Sequence, residues 1–125
     1  MSEVRKRLLA LAQPPPLWFW RTAHGDDVDL LIEIGPGRFV AVECKTVERI
    51  GPAALKGLRR LTDEYGAAAV PLARVVCRTE RAYPLEGPGD WRAVPVAGRK
   101  GLVAELADRL SSLDGGNVQS KRVRR

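Results

Sequence analysis

From Asp27 to Lys45 the chain alternates apolar and polar residues with the period of two that marks a strand, interrupted at Gly35-Pro36-Gly37. Val28, Leu30, Ile32 and Ile34 fall in one set and Asp27, Asp29, Leu31 and Glu33 in the other. After the interruption, Val40, Val42 and Cys44 alternate with Ala41, Glu43 and Lys45. The pattern predicts an antiparallel hairpin. With a three-residue loop at 35–37, Ile34 faces Arg38 and the numbers of paired positions sum to 72. Asp29 then stands opposite Glu43 and Asp27 opposite Lys45, all on one face. A two-residue loop shifts the parity and sends the acids to opposite faces; the three-residue loop is the reading adopted.

The flanking segments supply the other elements. Residues 3–13 predict a short helix with Val4, Leu8 and Leu11 as its stripe, ended by Pro14-Pro15-Pro16. Leu17–Thr22 is an aromatic strand, with Trp18, Phe19 and Trp20 read as core and edge packing. His24, beside Gly25, reads as a turn residue. Pro52 opens a second helix that Gly66 stops. Its stripe is Leu55, Leu58, Leu61 or Thr62, and Tyr65, while Lys56, Arg59 and Arg60 share its solvent side. Val70–Arg78 is a largely apolar strand, and a helix between two strands predicts parallel pairing. Trp91–Val96 predicts a short edge strand, with Pro95 suited to an edge, and 100–113 a final helix. The expected architecture is an α/β sandwich with a mixed central sheet flanked by helices, in one domain over 1–114, followed by a disordered basic tail at 115–125.

Charge changes this picture little. The net charge is +6, but Lys121, Arg122, Arg124 and Arg125 supply four of the six, leaving +2 elsewhere. A basic tail binds polyanions by counterion release and serves equally as a solubilising end. No apolar run approaches the roughly 20 residues that span a bilayer, so no membrane partner is expected, and a cytoplasmic location is. Cys44 and Cys77 lie in strand-like runs and are read as structural thiols.

The acids carry the candidate chemistry. Two carboxylates opposite each other on a sheet repel by up to roughly 1 kcal/mol, and a chain tolerates this where the face is wet or a cation sits there. Carboxylate oxygens without histidine or thiolate suit Mg2+ or Mn2+, which also bind waters and substrate phosphates. Lys45 can orient a water or offset transition-state charge. Cys44 points its side chain to the core, so only its carbonyl could face the ion.

Asp29 followed by Glu43-Cys44-Lys45 resembles the motif of the PD-(D/E)XK nuclease superfamily, the restriction-endonuclease-like fold, and the helix–three strands–helix–strand order is similar to its αβββαβ core. More narrowly, Trp20-Arg21-Thr22, Gly25, Asp27-Val28-Asp29, Val42-Glu43-Cys44-Lys45 and Leu55-x-x-Leu58 resemble an uncharacterised domain found at the C-terminus of bacterial and archaeal AAA+ ATPases. The likeness covers roughly residues 17–112. It implies Asp29 and Glu43 as metal-binding acids, Lys45 as the motif's lysine, and Asp27 and Glu3 as supporting acids. Lys56, Arg59 and Arg60 would then contact phosphates. The expected function is metal-dependent hydrolysis of DNA phosphodiester bonds. The alternative is a silent nuclease-fold module that binds DNA or a protein such as an AAA+ ATPase. The chain itself has no G-x-x-x-x-G-K-[ST] phosphate loop. A homodimer suits a reaction that cuts both strands, though no stretch identifies an interface.

Overall fold

In the computed structural model, residues 2–23, 25–96, 98–99 and 101–110 are described. The readings of His24, of Lys100 and 111–113 as helix, and of 115–125 as a disordered tail lie outside them. The described chain runs α1 (Ser2–Leu9), β1 (Leu17–Arg21), β2 (Asp27–Gly35), β3 (Arg38–Cys44), a 3-10 turn (Pro52–Leu55), α2 (Lys56–Tyr65), β4 (Leu72–Val76), β5 (Tyr83–Pro84) and β6 (Asp90–Val94). A last helix, α3, covers 102–110.

The six strands form one mixed sheet in the order β1-β2-β3-β4-β6-β5. β1, β2 and β3 pair antiparallel, β4 lies parallel to β3 and to β6, and β5 closes antiparallel on β6. The parallel step follows from the α2 crossover. Val4 and Leu8 of α1 pack with Leu30, Ile32, Val40 and Val42 and with Leu102 and Leu106 of α3. Leu58 and Leu61 of α2 pack with Val28, Ala41, Val75 and Trp91. The sheet is therefore covered by α1 and α3 on one face and by α2 on the other.

The hairpin register holds between Leu30–Val42 and Glu33–Phe39, by a different route, while the expected Asp29–Glu43 and Asp27–Lys45 pairs are not part of the ladder. Leu30–Val42, Leu31–Ala41, Ile32–Val40 and Glu33–Phe39 all sum to 72, yet Gly35, not Ile34, faces Arg38. The turn proper is Pro36-Gly37, with Gly37 at φ +68, and Ile34 is the extra residue of a bulge. The bulge absorbs the parity change that a two-residue turn alone would impose.

A second bulge was not legible. Trp18 pairs Leu31 but Trp20 pairs Val28, so Asp29 and Leu30 together oppose Phe19. The parity of β2 reverses there. Val28 consequently joins the α2-side core while Leu30 and Ile32 join the other, correcting their assignment to one face.

Three further corrections concern the surface. Tyr65, expected in the α2 stripe, is exposed, whereas Leu61 and Thr62 are both buried. Trp18 and Phe19, expected to pack, are 55% and 76% exposed. β6 is not an edge strand, because the two-residue β5 covers it; the edge proline is Pro84. Two residues are too few to show a period. Gly66 ends α2 at φ +89, as expected, its N–H donating to the Thr62 carbonyl at 2.7 Å.

Candidate metal and phosphate site

Beyond the Leu30–Val42 pair the two strands part, and the side chains of Asp29 and Glu43 complete the ladder. The Asp29 amide donates to Glu43 Oε1 and the Cys44 amide to Asp29 Oδ2, each at 2.8 Å. Each acid therefore satisfies an N–H of the other's strand, which offsets part of the repulsion between them. Asp29 is one of the two β2 residues that together oppose Phe19 at the bulge.

Glu43 is 4% exposed. Burial pushes its carboxyl up to about 7, the Asp29 amide pulls it down, and the Asp29 charge pushes it up again, with lesser opposing effects from Lys45 and Asp27. Lys45 Nζ lies 3.7 Å from Glu43 Oε2. Asp27 is exposed at the start of β2, and its backbone meets α2. Gly57 makes that meeting possible, because a Cβ there would collide with the Asp27 carbonyl oxygen. Cys44 packs its side chain against the α1-side core, and burial raises its thiol. Glu3 lies in α1, its side chain outside the described residues.

The structure places the three basic residues of α2 differently from a bare phosphate ridge. Lys56 and Arg60 both reach Asp26, at 3.5 and 3.3 Å. Asp26 is held in a tight turn, its amide donating to Thr22 Oγ1 at 3.1 Å. Arg59 donates to the Glu86 carbonyl at 2.9 Å and lies 5.5 Å from the Trp91 ring. Lys56 and Arg60 keep 75% and 53% side-chain exposure, so both remain reachable from solvent.

The amides leave Asp29 Oδ1 and Glu43 Oε2 as donor oxygens. A hard divalent cation that keeps most of its waters fits two such oxygens, and a buried carboxylate titrating near neutrality is one that a cation would hold ionised. Among the described residues no group of three or more His, Cys, Asp or Glu could hold a metal. Any ion here would complete its shell with water, backbone oxygen or substrate.

Sequence reasoning missed one buried polar centre. Arg74 of β4 is 1% exposed and is held by Glu105 Oε1 and Oε2 at 2.8 and 2.6 Å and by Asp90 Oδ2 at 3.1 Å. Burial alone would raise the carboxyls of Glu105 and Asp90, but Arg74 holds both below their ordinary values. The signal was available: an arginine inside the apolar run Val70–Arg78 needs a buried partner.

The model of the DUF4143 family, a domain of unknown function, matches residues 1–97. The chain belongs to this family. DUF4143 is typically associated with the C-termini of AAA ATPases. The match runs from α1 through β6, so Asp29, Glu43 and Lys45 all lie within the family's own domain. No curated protein and no solved structure matches the chain. Among the described residues, no helix is long and apolar enough to cross a membrane.

Proposed function

We propose that this DUF4143 domain is a metal-dependent nuclease of the PD-(D/E)XK type, acting on DNA phosphodiester bonds with Mg2+ or Mn2+. The observation that supports it best is the Asp29–Glu43 latch at the point where β2 and β3 part, with Lys45 beside it. A bound divalent ion supplies Lewis acidity and a more acidic water. Asp29 and Glu43 would be the carboxylates that hold it. The Lys45 ammonium orients the attacking water or offsets charge on the phosphoryl oxygens. Lys56 and Arg60 add positive charge on α2, shared with Asp26.

Supercoiled and branched DNA incubated with the protein and Mg2+ or Mn2+ tests this reading. Cleavage is expected for the wild type and a loss of 100-fold or more, on the order of one lost charge-stabilising group, for Lys45→Ala and Asp29→Asn. Cleavage that persists unchanged in either variant overturns the assignment.

A second reading is supported by the same hydrogen bonds. Each acid already has a structural task, which suits a silent nuclease-fold module that binds DNA or a protein such as an AAA+ ATPase. Calorimetry with manganese separates the two. No heat of binding at millimolar metal, with DNA binding intact, favours the silent module.

A further inference from the structure

The exposed aromatics of β1 lie where a sheet edge would ordinarily be protected. Trp18 and Phe19 line a cavity of about 500 Å3 whose wall also includes Arg5 of α1, Arg21, Asp27 and Asp29. That volume suits a nucleotide-sized ligand. Alternation along β1 puts Phe19 and Arg21 on the face shared with Leu17, which packs against the core containing Val4 and Leu8 of α1. Arg5 and Arg21 make no ion pair among the described residues, in contrast to Lys56 and Arg60. The lining includes the bulge that carries Asp29, opposite Phe19.

We propose that β1 and α1 form a binding track for unpaired nucleotides, which delivers single-stranded nucleic acid to the Asp29–Glu43 pair. A flat ring at an open edge stacks any base, while a guanidinium with no ion pair among the described residues attracts the phosphate beside it. Base faces are available only where pairing is broken, so the track discriminates single strands from duplex. Asp27, the cross-strand partner of Arg21, and Asp29, opposite Phe19, repel phosphate, so the strand is held by its bases on the rings and by its phosphates on the guanidinium groups. Apolar side chains alone would suit a protein strand; the two arginines flanking the rings favour a polyanion.

The proposal rests on the nuclease reading for the direction of the track and not for the binding itself. Fluorescence anisotropy on the full chain, in EDTA at low salt, compares a labelled single strand of about 12 nucleotides with its blunt duplex. The single strand is expected to bind at least tenfold more tightly. Phe19→Ala, at a residue too exposed to hold up the fold, is expected to weaken it about fivefold to a hundredfold, and Phe19→Tyr to retain it. Arg5→Ala with Arg21→Ala is expected to reduce the salt dependence by about two phosphate contacts. Equal affinity for both DNA forms, or a Phe19→Ala variant that binds like wild type, overturns the track. So does a chain that dimerises, becomes monomeric in Phe19→Ala and binds no oligonucleotide, because β1 is then a protein interface. Binding that follows the expected pattern without cleavage in metal removes the nuclease reading alone.

Discussion

Asp29 and Glu43 bind each other's strands: the amide of Asp29 is held by the Glu43 carboxylate, and the Asp29 carboxylate holds the amide that follows Glu43. The acids are thus both a structural brace and a candidate cation site, and the two roles respond differently to charge.

The first consequence concerns pH. Glu43 titrates near 7 when folded, against 4.5 as its ordinary value. A folded value above the unfolded one means that stability is fully present below about 4.5 and is lost as pH rises towards 7. The loss is on the order of 3 kcal/mol at 1.36 kcal/mol per unit. Glu43→Gln keeps an oxygen for the Asp29 amide and removes the titration. Urea unfolding of both proteins from pH 4 to 8 should show the wild type falling relative to the variant across this window. Parallel stability curves would show that Glu43 is not perturbed.

Asp29 separates hydrogen bonding from charge. Asp29→Asn retains an acceptor for the Cys44 amide and removes the repulsion with Glu43, so its melting temperature should equal or exceed that of wild type. Asp29→Ala leaves a half-buried N–H without its partner and should cost about 1–3 kcal/mol. Added Mn2+ should raise the melting temperature of wild type and not of Asp29→Asn. A metal-dependent rise of equal size in both would place the ion elsewhere.

Gly57 reverses an ordinary rule. In an exposed helix alanine is favoured over glycine by roughly 1 kcal/mol, but here the added methyl meets the Asp27 carbonyl. Gly57→Ala should lower the urea midpoint by an amount equivalent to about 1–3 kcal/mol, as α2 is pushed off β2. A neutral or stabilising result would mean that α2 sits farther from the sheet.

Arg74 anchors β6 and α3 to β4. Arg74→Met strands the half-buried Glu105 and should cost about 3–5 kcal/mol, the range for removing one partner of a buried pair. Glu105 and Asp90 have folded values below their ordinary ones, so their stabilisation is present above the unfolded carboxylate range and is lost as pH falls through the folded values. The variant should therefore lose stability less steeply than wild type on acidification. An unchanged acid limb would argue against the cluster.

What could be read locally was read from local patterns. The hairpin alternation set the 72 register, the Pro52 and Gly66 signals bounded the α2 segment, and the helix between β3 and β4 implied parallel pairing. Each depends on a few neighbouring residues, and the energy that enforces them is visible in the spacing of the side chains. The candidate acids and lysine were legible for the same reason.

The bulge at Asp29-Leu30, the latch between the acids, the partnering of Lys56 and Arg60 by Asp26, the exposure of Phe19 and the covering of β6 were decided only in three dimensions. Alternation cannot announce its own reversal, because a bulge answers to the partner strand; β1 leaves one residue to oppose two. An aromatic strand reads as buried until its position at the rim of the sheet is known. A cation's partner is chosen by which turn folds back beneath it. Period alone could bring Asp29 and Glu43 near each other; which carboxylate oxygen takes which amide was set by how β2 and β3 part in the folded sheet.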